Sequence, residues 1–323
     1  MKIKLKYFLF FLIVILVVIF LLRDRSPFGR SNISFAVEPE NEITAIELND
    51  GERRLLLEKH GDDWLINGFG EARKGSIYFI TRILNGIRIK SPVSEELYKT
   101  EVAEKELKPV RVRVFERSRV VGSFYVYKTG SNTYGNIMKT RERSKPFIVH
   151  LPGYEGEIGS AFNLNELYWQ PYTVFNILPS EIASVTLENF RDTTSSFTIR
   201  KNVNFYTLSD LSGELAGWDT SRITRYLSYF IRIPFESWAF EAGTDDSRFI
   251  VPADQPVYRI TVNRTDGSQK SLTITERIIK ENGMERTDTD RVWGKTDNHD
   301  DLFIMRYFDL DPLLKKKSYF FPD

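Results

Sequence analysis

Ile43-Thr44-Ala45-Ile46-Glu47-Leu48 carries the apolar spacing of a half-buried strand, and Ile182-Ala183-Ser184-Val185-Thr186-Leu187 brings that spacing back at an offset of 139 residues. Three more landmarks return in the same order. Ile80-Thr81-Arg82-Ile83-Leu84 recurs as Ile223-Thr224-Arg225-Tyr226-Leu227 at an offset of 143, and Pro109-Val110 recurs as Pro256-Val257 at 147. Lys139-Thr140 with Phe147-Ile148-Val149 recurs as Lys295-Thr296 with Phe303-Ile304-Met305 at 156. One such match carries little weight alone. Four in order, at an offset that only grows, indicate a duplicated unit whose second copy has gained a few loop residues.

Each copy reads the same way. Leu55-Leu56-Leu57 and Phe197-Thr198-Ile199 are second strands, followed by segments around Trp64-Leu65-Ile66 and Phe205-Tyr206. Ile77, Ile80, Ile83, Leu84 and Ile87 then share one helix face, as do Ile223, Tyr226, Leu227 and Phe230, with Ser76 and Asp219 or Thr220 as N-cap candidates. Val110, Val112 and Val114 alternate with arginines, Phe124 to Tyr127 pairs back on them, and Thr265-Asp266-Gly267-Ser268 supplies the matching turn in the second copy. Runs of strands with one amphipathic helix per unit predict an α+β fold of mostly antiparallel sheets, a two-fold internal repeat preceded by a single transmembrane helix. The expected division is a basic tail at 1–6, an anchor at 7–22, a linker at 23–40, copy one at 41–178 and copy two at 179–323, with a short helix between Tyr154 and Leu167.

The anchor is the stretch Tyr7, Phe8, Leu9, Phe10, Phe11, Leu12, Ile13, Val14, Ile15, Leu16, Val17, Val18, Ile19, Phe20, Leu21, Leu22, without a charge, amide, Gly or Pro. As a helix it spans roughly 24 Å, and the snorkelling stems of Lys4, Lys6 and Arg23 reach the rest of a ~30 Å hydrocarbon core. A cleaved signal peptide needs small residues after the apolar core, but here the core runs into Arg23-Asp24-Arg25-Ser26-Pro27. An uncleaved signal anchor in the lipid bilayer is therefore expected. The brief N-terminal tail before a long body puts that body on the extracytoplasmic, periplasmic side of the inner membrane.

Composition narrows the chemistry. The 323 residues carry 45 Lys+Arg against 44 Asp+Glu, a net charge of +1, which gives no basic footprint for nucleic acid. Cysteine is absent, which excludes disulfides, thiolate metal sites and a thiol nucleophile. No glycine-rich phosphate loop occurs, so no nucleotide is expected. Of the three histidines, His60 reads as a solvated turn residue and His150 as a strand end. Asp288-Thr289-Asp290 and Asp297-Asn298-His299-Asp300-Asp301 lack the ligand spacing of a calcium loop, and most of the five tryptophans read as core. Lys315-Lys316-Lys317 reads as a solvated helix end. No catalytic, cofactor-binding or metal-binding residue is assigned.

Several segments together resemble a known family: the single anchor, the early I-x-x-I-x-L strand, Asp63-Trp64-Leu65-Ile66-Asn67-Gly68, Ser91-Pro92-Val93-Ser94, Pro146-Phe147-Ile148-Val149 before Leu151-Pro152-Gly153-Tyr154, and Phe308-Asp309 with Asp311-Pro312-Leu313-Leu314-Lys315-Lys316. The chain is similar in these to the membrane-anchored bacterial proteins of the domain of unknown function family numbered 4340, in its Bacteroidetes form, over nearly its whole length. That resemblance implies an accessory role at the cell envelope, beside transporter components, and carries over no catalytic residue. The leading expectation is a non-catalytic interaction protein with an envelope protein partner. Two alternatives are a module binding a small ligand or glycan in the groove between the repeats, and an envelope hydrolase using two carboxylates.

Overall fold

In the computed structural model, which describes residues 33–129, 136–203, 205–241, 249–250, 255–281 and 284–322, the chain divides into two compact units between Pro171 and Tyr172. Unit one contains β1 (Ala45–Asn49), β2 (Arg54–His60), β3 (Asp63–Ile66), β4 (Gly70–Glu71), helix α1 (Lys74–Gly86), β5 (Arg88–Pro92), β6 (Val110–Glu116), β7 (Arg119–Tyr127), β8 (Asn136–Lys139) and β9 (Phe147–His150). The strands form one sheet in the order β4-β3-β2-β1-β6-β7-β8-β9-β5, antiparallel throughout. Period-2 alternation drives the central strands: Ile46 lies opposite Val114 and Leu48 opposite Val112, all fully buried. The predicted face of α1, Ile77, Ile80, Ile83 and Leu84, joins them in one core, with Ile87 buried at the helix end.

Unit two contains β10 (Thr173–Phe175), β11 (Ile182–Asn189), β12 (Phe197–Lys201), β13 (Tyr206–Asp210), β14 (Gly213–Leu215), helix α2 (Thr220–Ser228), β15 (Ile233–Pro234), β16 (Ser237–Trp238), β17 (Phe249–Ile250), β18 (Pro256–Arg264), β19 (Gln269–Glu281), β20 (Met284–Thr296) and β21 (Phe303–Arg306). Its main sheet runs β14-β13-β12-β11-β18-β19-β20-β21-β16, with β17 paired to β19. Strand for strand this is the order of unit one. The registers agree in detail: Ile199 opposite Leu208 stands where unit one has Leu57 opposite Ile66. Tyr206 thereby occupies the place of Trp64. A bulge between Pro256 and Tyr258 keeps Val257 buried beside Ile260 and Val262, so the inner face survives one inserted residue. In unit two rings cluster on the helix: Phe197, Phe230 and Phe320 surround Tyr226 with centroids 5.3–5.7 Å away at steep angles.

Three expectations of the fold change here. The division between units falls earlier than Pro179, because β10 pairs with β15 and so belongs to unit two. The N-cap of α1 is Arg73; Ser76 lies inside the first turn, buried, its Oγ accepting from Arg73 Nε at 3.0 Å. Asp219 does cap α2, accepting from Ser221 N at 2.7 Å. The helix expected between Tyr154 and Leu167 is instead a 3-10 turn at Gly159–Ala161 and a one-turn helix at Glu166–Trp169.

Candidate functional site

The assigned anchor residues, Tyr7 to Leu22, lie outside the described residues. Among the described residues, no helix is long and apolar enough to cross a membrane. What is visible is the chain just downstream, and it is not the free linker expected up to residue 40. Phe35 and Val37 are each only 3% exposed. The Phe35 ring stands edge-on to Phe124 and Phe147, at 5.9 and 6.3 Å, and Val37 N donates to Leu84 O at 2.8 Å. A Cβ at Gly122 would come within 2.6 Å of Val37, so only glycine in β7 lets this strap lie against the sheet. The Glu116 carboxylate then accepts from Asn41 Nδ2 at 2.6 Å, Glu40 N at 3.1 Å and Asn41 N at 2.8 Å, and these donors hold it below the usual carboxylate range. The alternation Phe35-Ala36-Val37 was the available sequence signal for this strap, within otherwise polar surroundings.

A second feature is shared by both units. The turn after β3 presents Phe69, 94% exposed, and the turn after β13 presents Leu211, 79% exposed. Both turns are fastened. Asn67, at φ 51°, accepts from Leu56 N at 2.9 Å and donates from Nδ2 to Glu166 at 2.6 Å. Asp210 accepts from Ser212 N at 2.8 Å and pairs with Lys317; the Lys317 ammonium and Ser212 hold its carboxyl far below the usual range. Glu166 and Lys317 each open the short helical segment that closes their unit. Three residues further on, Trp169 O accepts from Arg73 N at 2.6 Å and Phe320 O from Asp219 N at 2.8 Å, at the N-caps of α1 and α2, and both rings are fully buried. Each unit thus uses a terminal aromatic to seat its helix and a polar residue one turn earlier to hold an apolar hairpin tip in water. A large apolar side chain fixed in solvent gains nothing for the fold that carries it.

The remaining candidates resolve into structural roles. Trp64, Trp169, Trp238 and Trp293 are buried. His60 is exposed in its turn, and His299 lies against the Trp238 ring. Asp288 is buried and bonded to Arg277 at 2.8 Å, its other oxygen accepting from Asp290 N and Arg291 N, while Arg277 lies over the Trp293 ring. Asp297 and Asp301 stand apart from it on an exposed turn. No group of three or more acidic or histidine residues able to hold a metal occurs among the described residues. Lys315 pairs with Asp311 at 3.0 Å, and Lys317 opens a 3-10 turn, so this run does not end a helix as expected.

Where a described carboxylate is displaced from its ordinary range, the displacement is downward. In Glu236, Asp219 and Asp266 the main cause is a hydrogen bond from Arg291, Ser221 and Ser268 respectively. Burial alone would raise Glu47, but Arg113 and Arg54 overcome it. These anions fasten turns and strands. A carboxyl raised toward neutrality, as a general acid requires, is not found among them.

No known protein family, curated protein or solved structure matches the chain.

Proposed function

We propose that the chain is a single-pass, membrane-anchored accessory protein of the bacterial envelope, without catalysis of its own, whose duplicated α+β units form an interaction module for a protein of the same membrane. The exposed apolar hairpin tips carry this reading: Phe69 and Leu211 occupy the same turn in the two units, and in each the neighbouring Asn67 or Asp210 is bonded to the unit's own closing segment. Support for the anchored arrangement comes from the apolar run at 7–22 and from the strap. Thirteen residues separate Leu22 from Phe35 in sequence number, a reach of at most roughly 45 Å, so unit one stays close to the bilayer. The partner class we infer, a transporter complex of the inner membrane with the body on the periplasmic side, rests on the motif resemblance to family 4340 alone, which no family model match supports.

The test is photo-crosslinking in cells from a photoreactive residue at position 69 or 211 of the full-length chain. Adducts with an integral membrane protein, lost when residues 1–30 are deleted, are the expected result. Adducts absent from both positions, or unchanged by the deletion, would overturn the reading.

A further inference from the structure

The turn between β8 and β9 reads Arg141-Glu142-Arg143-Ser144-Lys145-Pro146, and the matching turn of unit two, between β20 and β21, reads Asp297-Asn298-His299-Asp300-Asp301-Leu302. One tip is basic and the other acidic, at the same step of the same strand order. The basic tip is also free. Among the described residues Arg141, Arg143 and Lys145 are exposed and none pairs with a carboxylate, whereas Asp300 in unit two takes Lys295 at 2.9 Å. A second position repeats the contrast. Arg111 in β6 lies opposite Asn49 and has no ion pair among the described residues, while its counterpart Arg259 in β18 lies opposite Glu188, 4.0 Å away. The two departures meet at one place: Ser34, Arg111, Arg141 and Glu142 line a single groove of about 560 Å³. That groove marks where the chain enters unit one. Phe35 stands against Phe147, the first residue of β9 after the tip, and the strap then passes Gly122 on its way to Glu116. The chain coming from the apolar run at 7–22 therefore reaches unit one beside the basic tip.

We propose that this basic tip, with Arg111, sits on anionic phospholipid headgroups of the bilayer that carries the anchor, an inference that rests on the anchored arrangement proposed above. Each Lys or Arg brought to such a surface strengthens the contact about fivefold. The anchor keeps the tip near the surface at high effective concentration, so a few cations suffice where an untethered protein would need more. Arginine suits the phosphate, because its planar fork gives two hydrogen bonds to one group. Glu142 is the single carboxylate lining the groove, against Arg111 and Arg141 within it and Arg143 and Lys145 beside it in sequence. Unit two is entered from unit one rather than from the anchor, and a negative surface would repel its acidic tip.

For the test, the full-length chain is reconstituted in vesicles of phosphatidylcholine alone and of phosphatidylcholine with phosphatidylglycerol. A water-soluble dicarbonyl reagent then modifies the arginines, and mass spectrometry reads the rate at each. Arg141 and Arg143 are expected to react about fivefold more slowly on the anionic vesicles, and the difference should vanish at about 1 M salt. Exposed Arg82 in α1 and Arg225 in α2 are the references and should keep their rates; equal slowing there would show a general surface effect and overturn the proposal. Arg143→Glu with Lys145→Glu, both at exposed positions, should abolish the protection of Arg141. Inorganic phosphate added to the phosphatidylcholine vesicles should protect neither arginine, and equal protection by it would assign the site to a free anion instead. An alkaline carbonate wash separates this failure from that of the anchored reading. Chain stripped by the wash overturns both, whereas chain retained with Arg141 and Arg143 equally reactive on the two vesicles overturns this proposal alone.

Discussion

Glu47 in β1 and Thr186 in β11 occupy the same place in two sheets of one strand order, yet they are held by opposite chemistry. Glu47 faces Arg113 across the ladder and receives Arg54 Nε and Arg113 Nε, each at 2.8 Å. Thr186 lies between Thr198 and Thr261, sharing a 3.0 Å hydroxyl bond with Thr198, while Thr261 continues to Ser271 at 3.2 Å. The neighbours on the inner face do not differ in kind: Ile46 and Leu48 in one unit, Val185 and Leu187 in the other, are all buried against β-branched partners. Topology is therefore set by the inner alternation. The outer face is free to be ionic or neutral so long as each buried polar group finds a partner.

The comparison can be broken most forcefully at the closing aromatics. Trp169→Ala and Phe320→Ala should each cost about 3–5 kcal/mol, since each empties a fully buried site. Hydrogen exchange read peptide by peptide should show the loss confined to unit one in the first variant and to unit two in the second. Loss spread equally over both units would mean that they do not unfold separately. Next comes the buried ion pair of the long β19–β20 hairpin. Asp288→Ala removes the carboxylate that Arg277 donates to at 2.8 Å and should cost about 3 kcal/mol in chemical denaturation, whereas a double replacement by Met at 277 and Leu at 288 should come back close to wild type.

Glu47→Gln sharpens the outer-face contrast. Because the two arginines keep the folded Glu47 below its unfolded value near 4.3, its stabilisation is present above that pH and is lost as pH falls through the folded value. The variant should be less stable by about 2 kcal/mol at pH 7, with the gap closing toward pH 3. Thr186→Val should cost about 1 kcal/mol at both pH values. Urea midpoints for the two variants against wild type at each pH decide it. The smallest effect is expected at the tips: Phe69→Ser and Leu211→Ser should move stability by no more than about 0.5 kcal/mol, since neither side chain is packed. A melting temperature clearly lowered by either would show that the tip belongs to the fold.

The central strands and the two amphipathic helices α1 and α2 were legible because alternation and 3.6 spacing are properties of consecutive residues. The duplication was legible too, through matched landmarks, whereas the strand registers were not. The closing segments were missed although Tyr168-Trp169 and Tyr319-Phe320 repeat at an offset of 151. That offset falls below the 156 of the preceding landmark, because the second copy is shorter after its last strand, and an offset expected only to grow hides it. The start of α1 was misplaced because Ser76 has the side chain of a cap, and only the tertiary contact of Arg73 with the Trp169 carbonyl seats the helix one turn earlier. Nor does a sequence show which charges stay free. Arg111 and Arg259 read alike, and only the register sets one against Asn49 and the other against Glu188.

The strap at Phe35 and Val37 also orders events in time. These residues leave the ribosome before any strand of the sheet, yet their side chains meet Gly122 and Phe124 in β7 and Phe147 in β9, in the second half of unit one. During synthesis this strap waits, unpaired, for the far strands to arrive. Unit one can close only when nearly all of it has emerged, whereas the segment that completes unit two, ending at Phe320, is made last and finds its site already built.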